Sequence, residues 1–252
     1  MIILRSEKEI ESIKRSCEIV ADILEDLKGR VAVGVRTKDL DKRAEELIKK
    51  YGVEPAFKGY KGFPACICAS INEEVVHGIP GDRILKDKDI ISIDVGVKKN
   101  GYFGDGAVTV GVGNISKKAE DLIETTRQAL RVGIEKAYPS NRLSDISHAI
   151  QVFAESKGYS VVRDFAGHGI GSQMHEDPQI PNFGEPNRGP RLKPGMVLAL
   201  EPMVNEGTWQ VKVRKDGWTV ETKDKKLSAH FEQVIAITEN GPQILTLCQK
   251  KN

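Results

Sequence analysis

Two aspartates occupy what the sequence predicts to be a β-hairpin. Asp94 lies inside an apolar, β-branched segment, and Asp105 lies on the segment that returns after Asn100-Gly101, a dipeptide typical of a two-residue type I′ turn. In this register Asp94 opposes Ala107, so both carboxylates project from one face with Cα atoms about 7–8 Å apart. A cation between them would remove their repulsion. The alternative is a pair of solvent-exposed aspartates on an edge hairpin.

Three of the five histidines lie in glycine-flanked or loop settings, namely His77, His168 and His175. A glycine on each side of His168 would let a ligand or another backbone approach closely. A single loop histidine is more often structural than catalytic, and we interpret His148 and His230 in that way. Three histidines in such settings together favour a functional site.

Two glutamates complete the candidate set. Glu201 ends an apolar segment and Glu232 begins another, although each could instead be a strand end at the surface. Four carboxylates would overload one divalent ion, whereas two ions about 3.5–4 Å apart share the charge. Oxygen ligands with one imidazole suit Mn, Fe(II), Co or catalytic Zn. A hydroxide held between two such ions is a strong nucleophile, so the set predicts hydrolysis.

Helices must position these residues in each half of the chain. In the first half, Ser6 and Glu9 form a capping box that opens a helix ending near Gly29, and a second helix runs from Thr37 to Gly52. In the second half, a helix opens at Ser116 and extends to about residue 139, and another spans about 143–157. Strand and glycine-rich segments are then predicted at 160–171, 196–204, 210–221 and 230–237.

The order of helix, helix and β-structure therefore occurs twice. Strands that are segregated from helices predict the α+β class rather than an alternating α/β fold. No linker-like tract separates the two parts. We therefore predict one compact domain over residues 1–252, with halves of approximately 1–112 and 113–252.

The composition excludes several classes of protein. The 252 residues carry 38 Lys+Arg against 36 Asp+Glu, a net charge of +2, which gives no reason to expect nucleic-acid recognition. No apolar run approaches the roughly 20 residues needed to span a membrane, and residues 1–11 lack the apolar core of a signal peptide. The four cysteines form no C-x-x-C pair. These features predict a cytoplasmic protein with reduced thiols.

Seven short motifs, taken together, closely resemble those of type I methionine aminopeptidases. They cover residues 72–80, 93–96, 104–107, 167–171, 175–178, 200–203 and 230–232. The resemblance implies the pita-bread fold, in which two related α+β halves surround a dinuclear metal centre. It also implies removal of the initiator methionine from nascent chains whose second residue is small. Nascent polypeptide N-termini, met at the ribosome, are then the expected partners, and we expect a monomer.

The resemblance also assigns roles to individual residues. The positions that match metal ligands are Asp94, Asp105, His168, Glu201 and Glu232, with Asp105 and Glu232 as the bridging pair. Glu201 also matches the group that transfers a proton. His77 and His175 match two histidines that contact the substrate. The residues that match the lining of the methionine pocket are Tyr60, Phe63, Cys68 and Trp218, for which ordinary core packing is the alternative.

This sequence departs from the family pattern at Gly96, Gly106, Met174 and Gln233, none of which is a predicted ligand. Two other functions compete with the one implied. A proline-specific peptidase of the same fold would prefer an Xaa-Pro peptide to Met-Ala-Ser. A binding module that has lost catalysis would take up no metal, and the presence of all five predicted ligands argues against it.

Overall fold

The computed structural model describes residues 1–248, so the last four residues of the predicted domain lie outside the described part. The described helices form two consecutive pairs: α1 (Glu7–Lys28) with α2 (Thr37–Tyr51), and α3 (Lys117–Ile134) with α4 (Leu143–Ser156). A short 3-10 turn spans Tyr60–Gly62. None of the helices in residues 1–248 is long and apolar enough to span a membrane.

The strands are mostly short and all pair antiparallel. In the first half they are β1 (Glu54–Pro55), β2 (Ile67–Ile71), β3 (Glu74–Val76), β4 (Ile90–Lys99) and β5 (Tyr102–Gly111). Those that follow are β6 (Ser160–Val161), β7 (Ala166–Gly169), β8 (Glu176–Pro181), β9 (Val197–Leu200), β10 (Met203–Asn205), β11 (Val211–Val213), β12 (Val220–Thr222), β13 (Ser228–His230), β14 (Glu232–Thr238) and β15 (Gly241–Ile244).

Nine of these strands form one curled sheet in the order β1-β4-β5-β14-β9-β7-β8, with β2 also beside β4 and β15 also beside β14. Two three-stranded sheets, β13-β10-β6 and β11-β12-β3, lie beside it. The helices are segregated from the strands in the chain order, so the predicted α+β class is confirmed.

The helix boundaries follow the local signals in the sequence. The side chain of Ser6 accepts a hydrogen bond from the backbone N–H of Glu9, and Glu9 accepts one from the N–H of Ser6, which is the predicted capping box. Helix α2 ends at Gly52, which adopts a left-handed conformation with φ 64°. Helix α3 ends at Ile134, so the predicted extension to about residue 139 is wrong. Its last turn tightens into i to i−3 hydrogen bonds before Pro139.

Each of the four segments predicted to contain strands has a break in its β-structure. The segment 196–204 breaks at Glu201-Pro202, where proline supplies no N–H for a ladder, and 230–237 breaks at Phe231 between β13 and β14. The segment 210–221 folds back on itself through a turn at 214–219, and 160–171 breaks between β6 and β7. Apolar composition predicted the strands correctly, but it did not mark these changes of direction.

Each helix pair covers its own part of the large sheet. Apolar residues of α1 and α2 pack with β2, β4 and β5, whereas those of α3 and α4 pack with β8, β9 and β14. Helix α1 approaches β5 closely at Gly104, where a Cβ would lie 2.5 Å from the backbone nitrogen of Cys17. This position therefore needs glycine.

The two helix-covered regions meet where β5 pairs with β14. This pairing consists of two residue pairs, Glu232 with Ala107 and Gln233 with Gly106. One candidate ligand, Glu232, thus lies on the joining strand itself. The order of helix, helix and strand occurs in both of the regions that this pairing joins. The division of the domain into two halves near residue 112 stays a prediction.

Candidate active site

The register of the large sheet places three predicted ligands on one face. Asp94 pairs with Ala107, and Asp105 pairs with Gly96, as the hairpin turn predicts. Ala107 pairs on its other side with Glu232. Residues paired across a ladder point to the same face, so Asp94 and Glu232 share the face of Asp105, which lies two residues from Ala107.

His168 reaches the same place from β7. It pairs with Ala199, which in turn pairs with Val234, two residues beyond Glu232. The flanking glycines allow this close packing of strands. A Cβ on Gly167 would lie 2.4 Å from the carbonyl oxygen of Ala199, and one on Gly169 would lie 2.2 Å from that of Asp177. The glycine on each side of His168 therefore allows the neighbouring backbone to approach β7 closely.

The five predicted ligands converge in the structure. One donor atom each from Asp105, His168 and Glu232 lies within 4.8 Å of the others. Nε2 of His168 lies 3.8 Å from Oδ2 of Asp105 and 3.6 Å from Oε1 of Glu201. Asp94 lies close enough to Asp105 and Glu201 for their charges to raise the pKa of its carboxyl group.

Burial and mutual repulsion determine the ionisation of this cluster. Burial, followed by the charges of neighbouring carboxylates, raises the pKa values of Asp94, Glu201 and Glu232 well above the usual range. Burial also raises the pKa of Asp105, against the hydrogen bonds that it receives. Burial lowers the pKa of His168 to about 4, so its imidazole is neutral at pH 7.

The neutral imidazole of His168 donates no hydrogen bond to the carboxyl groups of the cluster. Its Nδ1 lies 2.9 Å from the carbonyl oxygen of Gly169, which can only accept, so Nδ1 carries the hydrogen and Nε2 presents a lone pair to the carboxylates. Buried oxygens Oδ1 of Asp94 and Oε1 of Glu232 have no hydrogen-bond partner among residues 1–248. Within the same residues, no lysine or arginine pairs with the four carboxylates. This arrangement of acceptors fits divalent cations.

A cavity of about 220 Å³ opens beside the cluster and contains every other predicted site residue. Phe63 and Cys68 are buried in its wall, and the ring of Trp218 packs edge-on against Phe63 with centroids 5.1 Å apart. Cys68 pairs with Asp94 across β2 and β4, so its thiol lies on the face of the ligands. Burial, followed by the charge of Asp94, raises the pKa of this thiol well above its usual range. The thiol is therefore neutral at pH 7.

The two predicted substrate histidines lie on different sides of this cavity. The ring of His175 lies 4.4 Å from that of His168, and its Nδ1 lies 3.0 Å from the hydroxyl of Tyr60. His77 has a left-handed backbone with φ 59° and packs edge-on against Trp218 at 6.3 Å. Burial, followed by repulsion from His175, lowers the pKa of His77 to about 4.

The structure also brings His230 to the site, although we interpreted it as structural from the sequence. Its Nε2 is buried without a hydrogen-bond partner in the described residues and lies 3.9 Å from Oε2 of Glu201. Alternation along the predicted strand 230–237 could have indicated this, because residues 230 and 232 share a face. His148 instead lies on α4, with Nδ1 3.0 Å from the carbonyl oxygen of Gly184.

The departures from the family pattern lie around the ligands. Met174 lines the cavity directly. A Cβ on Gly96 would lie 2.6 Å from the ring of Phe57, which also lines the cavity. Gln233 pairs with Gly106 on the opposite face of the sheet from the ligands.

Buried carboxylates, one neutral imidazole and an adjacent apolar cavity are the features of a hydrolytic metal centre. The model of metallopeptidase family M24 matches residues 11–239. The chain belongs to this family.

Within the family, the chain is similar over its full length to methionine aminopeptidases. It is 56% identical over 247 residues to the methionine aminopeptidase of Clostridium perfringens, with 98% of this chain and 99% of the relative covered. It is 56% identical over 246 residues to methionine aminopeptidase 1 of Bacillus subtilis, with coverages of 98% and 99%. The crystal structure of the Thermotoga maritima methionine aminopeptidase superposes with a TM-score of 0.96 at 46% identity, covering 98% of this chain and 99% of that one. The predicted resemblance and the pita-bread fold are confirmed.

Proposed function

We propose that this protein is a methionyl aminopeptidase, which hydrolytically removes the N-terminal methionine from nascent proteins whose second residue is small. The observation that carries the proposal is a buried cluster of four carboxyl groups and one neutral imidazole, which opens into a cavity whose far end has aromatic and apolar walls. The first feature supports metal-dependent hydrolysis, and the second supports recognition of one unbranched apolar side chain.

Two divalent ions are the proposed cofactors, held by Asp94, Asp105, His168, Glu201 and Glu232. Asp105 and Glu232 are the proposed bridging pair, since their donor atoms lie together with that of His168. When bound, the ions lower the pKa of water and polarise the scissile carbonyl. The donor set suits Co, Mn, Fe(II) or Zn, and the ion used in the cell is left to experiment.

Glu201 is the proposed proton carrier. Its carboxylate lies between His168 and His230, with Oε1 and Oε2 at 3.6 and 3.9 Å from the two imidazoles. Burial, followed by the charge of Asp105, raises the pKa of this carboxyl group above its usual range. It accepts a proton from the attacking water and then delivers it to the leaving amine.

His175 is proposed to stabilise the developing oxyanion. The Tyr60 hydroxyl lies 3.0 Å from Nδ1 of His175. In the proposed tautomer the hydroxyl donates to Nδ1, and the Nε2–H of His175 donates to the substrate. His77 faces the same cavity and is proposed to orient the peptide nitrogen. Its strained left-handed backbone is consistent with a functional position.

The methionine side chain is proposed to occupy the apolar end of the cavity. Phe63 and Trp218 meet there edge to face, and Cys68 lies beside them. Aromatic rings and a neutral thiol suit a polarisable thioether. Tyr60 closes the cavity near His175.

The partners follow from the proposed reaction. Nascent polypeptide N-termini are the substrates, met at the ribosome in the cytoplasm, without direct nucleic-acid recognition and without membrane attachment. We also propose that the protein acts as a monomer, because each proposed catalytic group comes from a single chain.

The decisive experiment combines elemental analysis with peptide cleavage. Purified protein is depleted of metal, titrated anaerobically with Mn, Fe(II), Co or Zn, and assayed on Met-Ala-Ser, on Met-Leu-Ser and on an Ala-Pro peptide. We expect no activity without metal, restoration as two ions bind, and cleavage of Met-Ala-Ser alone. Preference for the Ala-Pro peptide would overturn the proposed substrate class. Protein that takes up no metal and cleaves none of the peptides would overturn the proposed enzymatic function.

A further inference from the structure

The hairpin of β11 and β12 contributes one wall of the cavity through its turn. Trp218 lies in this turn, where its backbone N–H and that of Thr219 both donate to Oδ1 of Asp216 at 2.9 Å. Lys212 and Val213 on the outer strand are exposed to solvent. Strand β12 joins the neighbouring β3 through two residue pairs with a register shift between them. Backbone pairing therefore holds this hairpin at few points.

Arg214 adds side-chain contacts between the hairpin and β3. Its Nε lies 2.5 Å from Oε2 of Glu221 on β12, its Nη2 lies 3.0 Å from Oε1 of Glu73, and its Nη1 binds Glu74 on β3. Three nitrogens of one guanidinium thus bind three carboxylates on two segments of chain. Only arginine can do this, because its planar guanidinium group presents several N–H donors in fixed directions.

Two of these carboxylates are buried, which makes their partners important. Glu74 and Glu221 are only 5% and 4% exposed. Glu74 also accepts hydrogen bonds from the backbone N–H of Ile71 and from Arg83, at 2.7 and 2.8 Å, so it is fixed to the turn between β2 and β3. Glu221 is likewise paired with Lys212 and Lys225 on its own side. Arg214 contacts buried carboxylates of both segments, so its contacts resist separation of the two segments.

The two segments that Arg214 joins carry adjoining parts of the cavity wall. Strand β3 ends at Val76, immediately before His77, and β12 begins two residues after Trp218. The rings of His77 and Trp218 face each other edge-on with centroids 6.3 Å apart. A change in the position of the hairpin relative to β3 changes this distance directly.

We propose that Arg214 is a positioning residue that sets the side-chain specificity of the cavity. By holding the hairpin Val211–Thr222 on β3, it fixes Trp218 against His77 and Phe63 and so defines the width of the apolar end. This inference rests on the proposed aminopeptidase function and deepens it.

The kinetic signature separates this role from a general effect on folding. The metal ligands lie on other strands, so metal content and the chemical step are preserved when the hairpin loosens. Contacts with the substrate side chain are weakened in both the ground and transition states, which raises KM more than it lowers kcat. Discrimination between methionine and the branched leucine also falls, because the wall that excludes leucine is no longer fixed.

The test uses Arg214→Ala and Arg214→Lys, with Lys215→Ala as the control because Lys215 is exposed in the same turn. All variants carry Trp209→Phe, so that Trp218 is the one remaining tryptophan. Acrylamide quenching of Trp218 fluorescence measures how accessible this side chain is to solvent, and it needs no substrate. Steady-state kinetics on Met-Ala-Ser and Leu-Ala-Ser, at a fixed Mn concentration, report the specificity.

For Arg214→Ala we expect about twofold stronger quenching, about tenfold higher KM for Met-Ala-Ser and about tenfold lower discrimination against Leu-Ala-Ser, with unchanged metal content. For Arg214→Lys, the quenching, the KM and the discrimination should lie between the values of this variant and those of the parent, because an ammonium group cannot bind three carboxylates at once. Lys215→Ala should match the parent.

Parental quenching, KM and discrimination in Arg214→Ala would overturn the proposal, whatever happens to its thermal stability. If that variant fails to fold, Arg214→Lys and Glu73→Gln decide the question, and parental values in both would overturn it equally. A parent protein that cleaves no methionyl peptide would instead overturn the proposed function and, with it, the specificity role. The two failures are therefore distinguishable.

Discussion

The protein contains two clusters of buried carboxylates that differ in what neutralises them. Around Glu74 and Glu221, arginine and lysine side chains bind every carboxylate. Although burial opposes it, hydrogen bonds from these cations lower the pKa of Glu221 to about 2. Around Asp105 and Glu232, no such cation is present in residues 1–248, and burial raises the pKa of both groups.

This difference separates a structural cluster from the cluster that we propose to be functional. The first cluster is complete within the chain, so its charges hold two segments together. The second consists of acceptors that repel one another, and it is held in place by the strand register and the close backbone packing around His168. A buried cluster that its own chain leaves uncompensated is a strong indication of a binding site for an external cation.

The largest expected effect tests the uncompensated cluster. Asp105→Ala should lose bound metal, because a proposed bridging ligand is removed. Peptidase activity should fall more than about 10³-fold, since losing the source of the nucleophile costs more than losing one oxyanion donor. Elemental analysis and Met-Ala-Ser cleavage measure both, with Glu221→Gln as a control that keeps its metal. Full metal occupancy in Asp105→Ala would contradict the bridging role.

The next effect separates chemistry from metal binding within the same cavity. His175→Ala should keep its metal, but kcat should fall about 10²-fold because one oxyanion donor is lost. His148→Ala is the matched control, since His148 lies on α4 and contacts the backbone of Gly184. A His175→Ala protein with parental kcat, or with depleted metal, would disprove the assigned role.

A smaller effect tests the compensated cluster through its pH dependence. The pKa of Glu221 is lower in the folded protein, about 2, than its ordinary value of 4.5, so its ion pairs stabilise the fold above that ordinary value. Glu221→Gln should lower the free energy of unfolding at pH 7 by about 1–3 kcal/mol. The difference from the parent, measured by urea unfolding, should shrink as the pH falls from about 5 to 2. A difference independent of pH would show that the charge of Glu221 is not its source.

The smallest expected effect concerns an exposed ion pair, with which the buried pairs of Glu221 can be compared. Lys117 and Asp121 form an exposed pair on α3 with an N–O distance of 2.7 Å. Lys117→Ala should leave the free energy of unfolding at pH 7 unchanged within the error of the measurement, because solvent screens such pairs. Urea unfolding in low and high salt measures it. A cost comparable to that of Glu221→Gln would remove the distinction between buried and exposed pairs.

The sequence predicts most of the site because local signals determine its central hairpin. The Asn100-Gly101 turn fixes which residues oppose each other, and alternation then fixes the face of Asp94 and Asp105. The capping box at Ser6 and the glycine at the end of α2 similarly mark helix boundaries through local hydrogen bonding.

Other features depend on contacts that no local pattern carries. Arg214 meets Glu74 across 140 positions of sequence, so the compensated cluster was not predicted. The position of His230 beside Glu201 depends on how β13 and β10 pair. The strand break at Glu201-Pro202 arises because the sheet changes direction at the site, and apolar composition is the same on both sides of the break.

The short pairing of β5 with β14 also affects when the proposed metal site can form during synthesis of the chain. Asp94 and Asp105 lie in the first half of the chain, whereas His168, Glu201 and Glu232 lie in the second half. Glu232, which pairs with Ala107 of β5, is the last of the five to be synthesised. A chain that ends before Glu232 lacks one of the five proposed ligands and the strand that pairs with β5. The proposed metal site is therefore complete only after β14 has been synthesised and has docked.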